Sequence, residues 1–164
     1  MTNFDDLLAA NQAFADQFDS SGFDGIAHAG VAIVTCMDSR ILPLEMIGLK
    51  LGDAKILRNP GGRVDHATLE ALVLAVHLLN VQRIIIAPHT RCAVASNSTE
   101  TILGRVAESS GKSAAFMDFQ AISDQSEALA DDVQKVRTHP LIPESVLVGG
   151  FIYDVDTGLL TQKF

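Results

Sequence analysis

Positive charge is scarce in this chain and nowhere gathered: 12 Lys and Arg stand against 20 Asp and Glu, giving a formal charge of −8 with histidine neutral. A surface of that sign disfavours DNA, RNA and anionic membranes as partners, because the phosphate-neutralising contribution would be repulsive. No apolar stretch approaches the roughly 20 residues that a membrane span needs. Residues 1–6 hold no positive segment and lead into an amphipathic stretch, so no secretory leader is expected and a cytoplasmic location is. Two cysteines are too few for a disulfide framework, and a reducing cytosol would work against joining them. Each therefore needs a local explanation. No linker, repeat or low-complexity tract marks a second domain, so one domain over 1–164 is expected.

What is present suits a compact α/β protein. The chain has 164 residues, 48% of them apolar and 20% charged, long enough to bury roughly two thirds of the surface its unfolded form exposes. Within a helix expected over 3–18, Phe4, Leu7, Leu8, Phe14 and Phe18 recur at spacings of three and four, with Asn3 or Thr2 as its cap. The β-branched run 31–35 reads as a buried parallel strand. A short helical stretch around 43–47 and a second strand over 54–58 follow, and Asn59-Pro60-Gly61-Gly62 turns the chain.

Residues 65–79 repeat Leu69, Leu72, Val73, Val76 and Leu79 on one helical stripe, with Asp65 suited to cap its start. The Ile-rich run 83–88 is the clearest buried strand. Strand, helix and strand with short connections make a right-handed βαβ unit. Helices are expected near 98–108 and 124–137, with a weak strand or loop at 114–118 between them. The last strand, 145–153, turns at Asp156-Thr157-Gly158 into an antiparallel partner over 159–163. The fold class is thus α/β: a central, mainly parallel sheet flanked by helices, with a C-terminal antiparallel edge strand.

Open sheets of this kind bind ligands beyond the carboxyl ends of their strands. Cys36, Asp38 and Arg40 follow the first strand, and His89 and Cys92 follow the Ile-rich one. Taken singly, a cysteine after a strand is ordinarily a small buried apolar residue. Taken together, two thiolates and one imidazole suit zinc and leave one position of its tetrahedron open, as in a catalytic rather than a structural site. Two thiolates cancel the metal's charge, so a water at the open position is acidified less than beside three neutral histidines, and local hydrogen bonding must help. Asp38 has two roles open to it, as the fourth ligand or as an acceptor outside the metal shell that orients the water. Arg40, a guanidinium fork in phase with it, favours the outer role.

Cys36-Met37-Asp38-Ser39-Arg40, the turn Arg58-Asn59-Pro60-Gly61-Gly62 and His89-Thr90-Arg91-Cys92 together resemble the beta-class carbonic anhydrases, particularly the small bacterial branch. The resemblance runs from the N-terminal helix to Gly149-Gly150-Phe151-Ile152-Tyr153-Asp154. It implies one zinc ion per subunit on Cys36, His89 and Cys92, a catalytic pair Asp38 and Arg40, and reversible hydration of carbon dioxide to bicarbonate and a proton. It also implies a homodimer or a dimer of dimers, the N-terminal helix lying across the partner. The family turn commonly has Ala where Pro60 stands, and its ligand stretch reads Thr-Asp-Cys-Gly where this chain has Thr90, Arg91, Cys92 and Ala93.

Three other readings are open at this stage. One is a hydrolase of the same architecture acting on carbon disulfide or carbonyl sulfide. Another is a zinc protein without turnover, and the last a cysteine nucleophile paired with His89. Backbone amides near Gly61 and Gly62 offer N–H groups to an anionic product. His28, His66 and His139 are read as surface or capping residues rather than proton carriers.

Overall fold

A computed structural model describes residues 3–164. The first helix, α1 (Asp5–Ala15), begins at Phe4 without a capping side chain. Asn3 sits one position too early and reaches the Asp5 N–H at 3.4 Å, while Thr2 lies outside the described residues. Asp5 and Asp6 in its first turn suit the positive end of the helix dipole. None of its residues is buried: Phe4, Leu7, Leu8 and Phe14 are all more than 60% exposed.

The sheet holds five strands: β1 (Val31–Cys36), β2 (Ala54–Asn59), β3 (Arg83–Ala87), β4 (Leu147–Tyr153) and β5 (Leu160–Gln162). Their order is β2-β1-β3-β4-β5, parallel except for the antiparallel pair β4 and β5. β1 lies between β2 and β3 and is buried at all six positions, which explains a β-branched run with no polar alternation. Even Thr35 is satisfied within the sheet, its hydroxyl donating to Ala87 O at 2.6 Å.

Three further α-helices are found among the described residues: α2 (His66–Leu78), α3 (Thr99–Ser110) and α4 (Gln125–Arg137). Each starts on a side-chain cap: Asp65 accepts from Thr68 N, Ser98 from Thr101 N, and Asp124 from Ser126 N and Glu127 N. Such caps satisfy otherwise orphaned N–H groups. Leu72 and Ala75 of α2, and Leu129, Val133 and Val136 of α4, join Ala32, Val34, Ile84, Ile86 and Val148 of the sheet in one core. Residues 43–47 form only a single 3-10 turn, Glu45–Ile47, and 114–118 form no strand. No helix among the described residues is long and apolar enough to cross a membrane.

Candidate metal centre

Because β1 and β3 are adjacent and parallel, their chains leave the sheet at the same edge. Cys36 is the last residue of β1. His89 follows β3 by two residues and remains on the ladder through a bridge to Tyr153, with Tyr153 N donating to Pro88 O and Thr90 N to Tyr153 O, both at 2.9 Å. Cys92 comes three residues later, after Arg91 takes a left-handed φ of 56° that turns the chain back. All three side chains are buried, and their ligand atoms lie within 4.8 Å of one another.

The geometry fits a zinc ion. The Cys36 and Cys92 sulfurs stand 4.0 Å apart, against about 3.8 Å expected for two thiolates on a tetrahedral ion with Zn–S bonds of about 2.3 Å. His89 Nδ1–H donates to Thr90 O at 2.8 Å, which leaves the lone pair on Nε2. That nitrogen is buried and has no hydrogen-bond partner among the described residues. An orphaned buried acceptor facing two sulfurs is costly unless a cation completes it.

The neighbouring Cys92 sulfur, 4.0 Å away, draws the Cys36 thiol below its ordinary range against the cost of burial, and His89 and the Gly61 N–H add to the effect. Cys92 is pushed up by its negative neighbour and by burial. A pair holding one proton between two sulfurs presents two thiolates once a cation replaces that proton.

Gly61 supplies the N–H on Cys36, 3.3 Å from the sulfur. This amide is therefore committed to a thiolate, not to an anionic product as the glycine turn suggested. Pro60 is accommodated without strain, because Asn59 before it is extended at φ −147° and ψ 173°, the conformation a following proline requires.

Asp38 lies beside the three ligands and is gripped by Arg40. Its Oδ1 accepts from Arg40 Nε at 2.8 Å and from Arg40 N at 3.0 Å, and its Oδ2 accepts from Arg40 Nη2 at 2.7 Å. Oδ2 stands 3.7 Å from His89 Nε2. The Arg40 guanidinium, opposing a cost of burial, keeps the Asp38 carboxyl well below the usual carboxylate range. Arg40 Nη2 also reaches Arg91 O at 3.4 Å, so the same side chain touches both ligand loops.

Two residues make contacts that the sequence did not reveal, Arg58 of the glycine turn and Gln125. Arg58 donates to Cys36 O at 2.9 Å, to Asp38 O at 2.6 Å and to Ile41 O at 3.4 Å, holding the loop after β1 by its carbonyls. Gln125, first residue of α4, donates to His89 O at 2.9 Å. The three histidines set apart from the site do have local partners: His28 meets Asp24, His66 meets Glu70, and His139 Nδ1 accepts from Leu141 N. A cavity of about 640 Å³ bordered by Val31, Arg83 and Leu147 lies where β1, β3 and β4 begin, and none of the three ligands lines it.

Comparison with known proteins agrees with this geometry. The carbonic anhydrase family profile matches residues 31–160. Beta-carbonic anhydrase 1 of Mycobacterium tuberculosis is 28% identical over 166 residues, covering 99% of this chain and 98% of that protein. The crystal structure of carbonic anhydrase from Streptococcus mutans superposes with a TM-score of 0.87 at 36% identity, covering 99% of this chain and 98% of the other. A carbon disulfide hydrolase of Acidithiobacillus thiooxidans is 29% identical over 147 residues, covering 78% of this chain and 74% of that protein.

Proposed function

Since this chain belongs to the carbonic anhydrase family, in its beta class, we propose that it catalyses the reversible hydration of carbon dioxide to bicarbonate and a proton. The observation that carries this reading is the convergence of Cys36, His89 and Cys92, with His89 Nε2 unpartnered between the strand ends. Cys36, His89 and Cys92 would hold a zinc ion, which would supply an acidified water as the nucleophile for the carbon of CO2.

The remaining work belongs to the chain. Cys36 and Cys92 supply two anionic ligands and His89 a neutral one, its tautomer set by Thr90 O. In this reading Asp38 accepts a hydrogen bond from the attacking water and points the water's lone pair at the substrate. Arg40 keeps Asp38 ionised and prevents it from taking the open ligand position. Arg58 and Gln125 fix the backbone on either side, so the ligand atoms need little rearrangement.

The same reading makes the protein one domain and a homodimer, or an assembly of dimers, with α1 laid across the partner. Its support is the exposure of Phe4, Leu7, Leu8 and Phe14 on a helix that buries none of its residues within its own chain. A cytoplasmic location accords with two thiols that must stay reduced to bind metal.

Stopped-flow CO2 hydration and zinc content, measured on the same preparation, test the function. Cys36→Ser, His89→Ala and Cys92→Ser are expected to lose zinc and activity together. Sulfide release from carbon disulfide without CO2 hydration would favour the hydrolase, and stoichiometric zinc without either activity a non-catalytic role.

A further inference from the structure

Gly61 and Gly62 both hold positive φ, 81° and 67°, and neither has a side chain to anchor it. Gly62 packs closely on the Cys36 backbone, and because two glycines are free in φ, the aim of the Gly61 N–H at the Cys36 sulfur depends further on the flanks. Asn59 closes the turn on itself: its Oδ1 accepts from Arg63 N at 2.8 Å and its Nδ2 donates to Arg63 O at 2.7 Å.

On the downstream side stands Asp132 of α4, 1% exposed and flanked in the core by Leu129, Val133 and Val136. Its carboxylate accepts from Arg63 Nε at 2.6 Å, Arg63 Nη2 at 3.3 Å and Val64 N at 3.1 Å. Lys135 donates to Asp132 Oδ1 at 2.9 Å and to Val64 O at 2.6 Å. Burying a carboxylate on a core-facing helix is costly unless it is paired. Every bond this one makes ends on Arg63, on Val64, or on the lysine that also grips Val64. Burial pushes the Asp132 carboxyl up, but Arg63, Lys135 and the Val64 N–H outweigh it and hold the group below its ordinary range. The clamp is therefore anionic at neutral pH.

We propose that Asp132 is a positioning residue of the metal centre, acting through Arg63 and Val64 to hold the Gly61 N–H on the Cys36 sulfur. The inference rests on the zinc reading above. An N–H on a thiolate withdraws electron density from sulfur, which matters most where two thiolates already offset the charge of the cation. Partners of ligands typically change metal affinity or activity 10- to 100-fold when removed.

The test uses the full protein loaded with cobalt, read by its sulfur-to-metal charge-transfer absorption, and zinc affinity measured by chelator competition. Asp132→Asn and Arg63→Gln are expected to shift the charge-transfer band and weaken zinc binding roughly tenfold. Val136→Ala, a core truncation on the same helix, lowers the melting temperature but leaves band and affinity at their wild-type values. Should Asp132→Asn fail to fold, Arg63→Gln decides, since the Arg63 side chain is 25% exposed and Asp132 keeps Lys135 and the Val64 N–H as partners. An unshifted band and unchanged affinity in the variants that fold would overturn the proposal. Absence of the band in wild-type protein would overturn the zinc reading itself, and the proposal with it.

Discussion

Gly62 lies directly against the backbone of Cys36: a Cβ built on it would fall 3.0 Å from Cys36 N and 3.0 Å from Thr35 C. The metal ligand and the glycine turn are thus in backbone contact. Gly62→Ala adds a methyl group there and forces alanine into a left-handed φ of 67°. The expected loss of stability is about 1–3 kcal/mol, and zinc occupancy falls with it because the Cys36 backbone must move. Urea unfolding and zinc content on one sample check both effects.

Asp38→Asn is expected to retain zinc, since the three ligands are untouched, and to lower kcat roughly 100-fold, the lower end of what a positioned proton-handling group contributes. Arg40→Gln removes the fork that holds Asp38 and is expected to retain metal while losing turnover, because the freed carboxylate moves onto the ion. Initial rates and metal analysis separate the two quantities. Normal turnover in Asp38→Asn would remove Asp38 from the mechanism.

Acid unfolding carries the signature of Asp132. Its carboxyl is held low in the folded protein by Arg63 and Lys135 despite burial, so the stabilisation is complete above the unfolded value of about 3.9 and fades as pH falls through the lower folded value. Asp132→Asn is expected to cost about 1–3 kcal/mol at pH 7. The gap between the two proteins narrows below about pH 4. Urea midpoints across that range measure it, and a gap independent of pH would contradict the ionised clamp.

The exposed apolar face of α1 predicts assembly. Leu8→Asp and Phe14→Asp place charges on residues that are 65% and 63% exposed within the chain, so they are expected to leave the fold of the chain intact while dissociating the proposed dimer. Sedimentation and circular dichroism distinguish these effects. A wild-type protein that sediments as a monomer at micromolar concentration would contradict the arrangement.

Strands and ligands were legible in the sequence for a common reason. The runs ending in Thr35 and Ala87 are β-branched or otherwise apolar and buried within a parallel sheet, and each breaks abruptly into residues that carry chemistry. Asp65 was legible as a cap, because a short acceptor before an apolar stripe has few other uses, whereas Asp124 was counted inside its helix rather than as the cap it is. The start of α1 was not legible, since Phe4 caps it without a side chain. Arg58 stood in the motif that opens the glycine turn, but its role was not legible, because its partners are backbone carbonyls brought near by the fold. Asp132 resembles its exposed neighbour Asp131, and only the rotation of α4 turns one inward and the other out. The glycine turn was located correctly, but that its Gly61 N–H faces the Cys36 sulfur was not legible, since spacing does not say which atom an amide will face.

Diffraction data collected on either side of the zinc absorption edge test whether a zinc ion sits between the strand ends. One anomalous peak per chain is expected, about 2.3 Å from each of the Cys36 and Cys92 sulfurs and about 2.0 Å from His89 Nε2. Full activity in a crystal form that has no peak there, or a Cys36–Cys92 disulfide in the active protein, would contradict the zinc reading.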